Sequence, residues 1–361
     1  MAPLPAPIQP NGRGARSNAT GRYESLTREG FDDGWTELDE EPKKLRTVLH
    51  LERAKRIITT NDSPDIRFDQ SINPYRGCEH GCIYCYARPA HAYVGFSPGL
   101  DFESQLFFKP EAAKLLEKEL SRKGYQPRPI HIGGNTDPYQ PIERTLRITR
   151  QLIEVMDRFN HPFSIITKNA MIVRDLDLYT RLAERNLVRT AVSVTTLDRK
   201  LARAMEPRAA TPQRRLDAIR QLTAAGVPCS VSVAPIIPGL NDHEIEAILE
   251  QAAEAGATGA HYTALRLPLE IKDLFREWLQ TERPERAGRV MSLVRQMRGG
   301  KDYDAQWGAR MRGQGPIAVL MAARFKAARK RLGLERERLS LDVGTFRVPS
   351  KSGDQIDLFG S

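Results

Sequence analysis

The chain holds only four cysteines in 361 residues, and three of them fall within eight positions. That count and that clustering exclude a disulfide framework, so the expected compartment is a reducing cytoplasm. Long apolar runs are also missing: none approaches the roughly 18 residues a bilayer span requires. Residues 1–20 are rich in Pro, Gly, Ala and Arg without an apolar centre, a pattern not expected of a secretory signal. Excess negative charge is absent too. The formal net charge is +10, which suits a polyanionic partner, although arginine outnumbers lysine and general arginine richness gives the same sum. The length and a 40% hydrophobic content allow one large α/β domain with appendages, or two ordinary domains.

What is present is concentrated in Asn73-Pro-Tyr-Arg-Gly-Cys78-Glu-His-Gly-Cys82-Ile-Tyr-Cys85-Tyr86. The spacing is Cys-x3-Cys-x2-Cys. Thiolates are soft, charged ligands, and three on one short loop suit one soft metal centre. A structural zinc site takes four protein ligands, as does an ordinary iron–sulfur electron carrier. Three thiolates on a four-iron cubane leave one iron open to a substrate or cofactor. The competing readings are a Cys3His zinc site recruiting His80 or His91, and a redox thiol pair.

With Tyr84 immediately before the last cysteine, this motif resembles that of the radical S-adenosylmethionine (radical SAM) superfamily. The resemblance implies a [4Fe–4S] cluster held by Cys78, Cys82 and Cys85, with S-adenosyl-L-methionine chelated at the open iron. One electron then splits the sulfonium into methionine and a 5′-deoxyadenosyl radical, which abstracts a hydrogen atom. It also implies an electron donor of flavodoxin or ferredoxin type.

Along the chain the pattern alternates. Thr47–Leu51 reads as a short strand in an otherwise irregular arm, and Ser71–Tyr75 as the first core strand. Further strands are expected at Pro129–Ile132, Phe163–Thr167, Thr190–Thr195, Cys229–Ile236 and Ala260–Leu267. Helical spacing recurs between them at Glu111–Lys123, Ile142–Phe159, Asp175–Ala183, Pro212 to Gly226, Glu244–Ala255 and Glu270–Leu279. Six strand–helix units predict an α/β fold, a partial (β/α)6 TIM-type barrel of parallel strands. Ligands of such sheets sit at the carboxyl ends of strands, where the cysteine loop also lands. The organisation expected is an N-terminal arm over 1–60, partly disordered, a core over 61–280, a helical, basic C-terminal extension over 281–345, and a flexible tail over 346–361.

S-adenosylmethionine needs partners at the strand ends. Tyr84 offers a face for adenine. Gly133 and Gly134 allow close backbone approach; Asn135 and Thr136 follow, where many family members carry a Gly-Gly-Glu acid. Lys168 suits the methionyl carboxylate, Ser193 faces the barrel interior, and Glu206 suits the ribose hydroxyls. Pro238 lies in a stretch similar to the family's adenine-packing motif. Arg208, Arg214 and Arg215 read as an anion-binding cluster or a solvated helix start, the second favoured for Arg214 and Arg215.

Within the superfamily the closest resemblance is to the spore photoproduct lyase-like branch, carried by residues 73–78, Thr136 to Pro141, Thr167-Lys168 and Ser193. Residues 131–139 contain no cysteine, so the lyase's pocket hydrogen-atom donor has no counterpart there. Cys229 reads as a small buried residue. In the extension, Gly-rich loops carry basic and aromatic residues, and Ile317–Leu332 reads as a helix ending in Arg324, Lys326, Arg329, Lys330 and Arg331, suited either to nucleic acid or to capping the barrel. The final residues resemble the peptide by which bacterial DNA-processing proteins dock on the sliding clamp, with Gln355, Leu358 and Phe359 as anchors. The expected function is a radical SAM enzyme acting in DNA repair or nucleic-acid modification. The alternatives are one acting on a peptide or small molecule, and a non-catalytic, metal-stabilised nucleic-acid-binding protein.

Overall fold

A computed structural model describes residues 12–24, 27, 45–66, 68–335 and 340–350. Six parallel strands form the main sheet: β3 (Gln70–Ile72), β6 (Ile130–Ile132), β7 (Phe163–Thr167), β8 (Val188–Ser193), β9 (Cys229–Ile236) and β10 (Gly259–Ala264). They lie side by side in chain order, and β2 (Ile58–Thr60) adds an antiparallel edge beside β3. The last strand does not pair with the first, so the sheet is an open half-barrel. The crossovers are α1 (Ala112–Leu120), α2 (Ile148–Arg158), α3 (Leu176–Glu184), α4 (Pro212–Ala224) and α5 (Ile245–Glu254), with α6 (Ile271–Glu282) after the last strand.

Strand alternation explains the layering. Ile130, Ile132, Phe163, Ile165, Val188, Val192, Val231 and Val233 are buried against the helices. The intervening residues Ser71, His131, Ser164, Arg189, Ala191, Ser193, Ser230, Ser232 and His261 line the interior instead. These are small or polar, so the half-barrel encloses a cavity rather than a second core.

Two expectations are corrected and one strand is added. The first strand ends at Ile72, and Tyr75–Arg76 (β4) turns away to pair with β5 (Gln105–Phe108). Not expected from sequence, β5 also pairs in parallel with β1 (Val48–Leu51) in a separate three-stranded sheet. The helix expected over Ile142–Phe159 is split into Glu143–Leu146 and α2. Arg147 has φ 52° at the break, and the buried Glu143 carboxylate accepts the Thr149 amide at 3.1 Å, holding the second helix in its new direction.

Beyond the half-barrel, α7 (Pro284–Gln296) packs with α6 around the buried Trp278, and α8 (Gly315–Arg331) packs on α5. Arg324 makes a two-pronged contact with Glu246 at 2.8 and 2.6 Å, and Arg331 reaches Glu250 at 2.6 Å. Two of the five basic residues expected at the end of α8 thus join it to its neighbour. No helix among the described residues is long and apolar enough to cross a membrane.

Candidate active site

The cysteine loop lies at the carboxyl end of β3, as parallel-sheet geometry requires. Its glycines are forced: Gly77 has φ +71°, and a Cβ there would stand 2.8 Å from the Phe102 carbonyl oxygen. The loop is fastened from both sides. On the barrel side, the Thr136 hydroxyl donates to the Gly77 carbonyl at 2.8 Å, and Gln140 accepts the Glu79 amide at 2.9 Å. On the outer side, the fully buried Arg88 donates to the Cys82 carbonyl at 2.9 Å and the Gly81 carbonyl at 3.1 Å. Arg88 is balanced by Glu103, also fully buried, at 2.5 Å. Glu103 further accepts the amides of Gly14 (2.9 Å) and Ala15 (2.8 Å), so the N-terminal arm straps over the loop.

Cys78, Cys82 and Cys85 all line one cavity of about 2250 Å³. Burial pushes all three thiols up, and their mutual proximity adds to this for Cys78 and Cys82. Thiolates gathered in such a place call for a cationic centre to bind, so the donor set fits an iron–sulfur cluster. Among the described residues no three His, Cys, Asp or Glu are arranged to hold a single metal ion. His80, named above as a zinc ligand, faces Asp137 at 3.3 Å instead. His91 packs edge-on against Phe102, and burial lowers it to about 4.

The strand-end residues converge on the same cavity. Tyr84, Gly133, Gly134, Asn135, Thr136, Lys168 and Ser193 all line it. Lys168 holds its ammonium 5.8 Å from the Tyr84 ring centroid. Gly133 has φ +99°, and a Cβ would meet the Ile166 carbonyl oxygen at 2.8 Å. Asp137 ties two strand ends together, accepting from the Thr167 hydroxyl (2.6 Å) and the Lys168 amide (2.7 Å). Burial pushes its carboxyl up, but His80 and these hydrogen bonds prevail and hold it at about 2.

Two expected residues stand off the cavity. Pro238 is buried and is not part of its lining. Glu206 lies behind Tyr84, accepting from the Tyr84 hydroxyl, from Thr195 at 2.6 Å and from Arg215. Both its oxygens are engaged within the protein rather than presented to a ribose. Arg215 corrects the expectation of a solvated helix start: it is 1% exposed, ion-paired with Glu206, and donates to the Ser193 carbonyl at 3.1 Å. Arg208 pairs with Glu79 at 3.1 Å. Cys229 is fully buried in the core outside the cavity lining, and burial pushes its thiol up to about 12. Gln355, Leu358 and Phe359 lie outside the described residues. Glu103 and Arg88 were not singled out from sequence, because helices of one or two turns carry no periodic signal, and Gln140 was given no role of its own.

An open parallel α/β half-barrel with three thiols at the head of its first strand is the architecture of one enzyme class. The radical SAM superfamily model matches residues 72–252, half of the chain, and the protein belongs to that superfamily. An uncharacterised protein of Mycobacterium tuberculosis is 39% identical over 230 residues, 63% of this chain and 68% of the relative. The radical SAM Nα-GlyT isomerase of Pseudomonas phage M6 is 25% identical over 194 residues, 52% of this chain and 38% of the relative. Among solved structures, spore photoproduct lyase complexed with dinucleoside spore photoproduct superposes with a TM-score of 0.56 over 79% of each chain, at 16% identity. At that identity the likeness is one of fold.

Proposed function

We propose that the protein is a radical SAM enzyme that acts on a nucleic-acid base, in repair or in modification. The observation that carries the radical chemistry is the placement of Cys78, Cys82 and Cys85 on one wall of a cavity whose rim is made of Gly133 to Thr136, Lys168 and Ser193. The three thiols would hold the cluster. When bound, the [4Fe–4S] cluster supplies one electron to S-adenosylmethionine, and the cofactor supplies hydrogen-atom abstraction. The protein supplies position. Tyr84 gives the adenine a face, Lys168 a charge for the methionyl carboxylate, and the turn at Gly133 and Gly134 a close backbone.

The lining of the cavity supports the substrate class. The Arg266 guanidinium lies 5.2 Å from the centroid of Tyr86, a ring 47% exposed, and Arg312 lies 5.3 Å from that of Tyr262. Aromatic faces next to guanidinium groups stack a base and attract its phosphate. A structural neighbour, spore photoproduct lyase, is known in complex with a dinucleoside spore photoproduct.

Purified without oxygen and reduced with dithionite, the protein should release 5′-deoxyadenosine and methionine, and Cys82→Ala should abolish this together with iron binding. A colourless protein holding one zinc ion would end the radical reading. Nucleic-acid affinity that survives Cys82→Ala, without any cleavage of S-adenosylmethionine by the wild type, would establish the non-catalytic alternative. An electron donor of flavodoxin or ferredoxin type completes the reaction, and a cytoplasmic site of action is consistent with oxygen-labile chemistry.

A further inference from the structure

The cavity continues well below the rim that S-adenosylmethionine needs. Along β8 the residues on the interior side are Arg189, Ala191 and Ser193, and all three line the cavity. Four residues of strand place the Arg189 backbone about 13 Å beneath Ser193. Ala191 is small and leaves the column between them open.

Arg189 has no hydrogen-bond or ion-pair partner among the described residues. That sets it apart from the paired arginines that pack behind the cavity walls. Arg88 is paired with Glu103, Arg215 with Glu206, and Arg174 with Glu143 and Asp175. Desolvation alone lowers the Arg189 guanidinium, with no carboxylate near enough to oppose it. Arg189 is part-buried at the cavity wall, and a guanidinium without a carboxylate partner there is open to an anion in the cavity.

The neighbours on the same level are hydrogen-bonding and uncharged. Strand register sets Ser71, His131, Ser164 and Arg189 in one row across β3, β6, β7 and β8. The His131 ring bonds the Ser164 hydroxyl at 2.9 Å and stacks on Phe68, with centroids 4.2 Å apart. Burial, assisted by His261, lowers His131 to about 4, so it is neutral near pH 7. One cation among hydroxyls and a neutral imidazole is a site for an oxyanion.

We infer that Arg189 lies on the wall of a substrate pocket inside the half-barrel and binds an oxyanion, carboxylate or phosphate, at the end of the substrate remote from the cysteine loop. This rests on the reading of the cavity as a radical SAM active site. It deepens that reading by requiring an anionic substrate long enough to reach both ends.

The test is calorimetric titration of the anaerobically prepared holoenzyme with inorganic phosphate and, separately, with succinate at constant ionic strength, for wild type, Arg189→Gln and Arg189→Lys. The wild type should bind at least one anion, Arg189→Gln should weaken it at least tenfold, and Arg189→Lys should fall between. Preference for phosphate or for succinate identifies the group. Removal of an unpaired charge should leave the thermal midpoint of Arg189→Gln equal or higher, whereas a structural arginine would lower it. Equal affinity in wild type and Arg189→Gln, no binding to the wild type, or a destabilised Arg189→Gln would overturn the inference. The titration needs no turnover. Failure of the wild type to release 5′-deoxyadenosine would instead strike the proposed function, and the two failures are read separately.

Discussion

Glu206→Ala should be among the most damaging single substitutions in the protein, although Glu206 does not touch the cavity. Its side chain is fully buried, and that of Arg215 is 2% exposed. Removing the carboxylate strands the guanidinium and frees the Tyr84 and Thr195 hydroxyls, which both donate to it. Breaking a buried pair from one side costs about 3–5 kcal/mol. The carboxyl's own titration gives a second estimate. Burial raises it, but the charges of Arg215 and Lys168 and the hydrogen bonds from Arg215 and Thr195 bring it from 4.5 to about 2. That depression corresponds to about 3 kcal/mol. Because the folded value is the lower one, this stability is present above pH 4.5 and is lost as pH falls from there toward 2. Urea unfolding at pH 7 measures the loss directly. Equilibrium binding of S-adenosylmethionine should weaken as well, because the Tyr84 ring loses its anchor. Replacing both residues by methionine should recover most of the stability, since no charge is left stranded. A Glu206→Ala loss below about 1 kcal/mol, or a double variant no more stable than the single one, would refute the reasoning.

Glu103→Ala should release Arg88 and the arm together; reduced iron content and faster proteolysis near residues 12–18 are the measurements, and unchanged iron content would count against the strap. Gly133→Ala should cost about 1–3 kcal/mol through its positive φ, with a close contact to Ile166 besides, whereas Gly134→Ala meets nothing nearer than 3.6 Å and should leave stability within about 0.5 kcal/mol; thermal midpoints compare them. Deletion of residues 353–361 should abolish capture by a bacterial sliding clamp in pull-down, and undiminished capture would remove the tail from consideration.

The six strand–helix units were legible because buried strands and their covering helices carry different periods. The bounds of Phe163–Thr167 and Cys229–Ile236 agree residue for residue with β7 and β9. The short β5 was hidden by its length and by pairing with a strand far earlier in the chain. Arg215 was misread because Pro-Gln-Arg-Arg looks like any exposed first turn; only packing against β8 shows that one of the two arginines points inward. Arg189 was passed over for another reason. The strand was expected to begin at Thr190, which left Arg189 outside it, whereas β8 begins at Val188. Glu206 was expected at the ribose hydroxyls, whereas its carboxylate accepts from Tyr84, Thr195 and Arg215, contacts that no sequence spacing reveals.

The strap over the cysteine loop has a kinetic meaning. Arg13 donates to the Glu103 carbonyl at 2.6 Å across ninety positions of chain, and a contact of such sequence separation forms late. The outer flank of the thiols should therefore stay accessible while the half-barrel is already assembling, and close afterwards. Iron delivery has its easiest opportunity in that interval, and a protein allowed to finish folding without metal should be harder to load than one charged during synthesis.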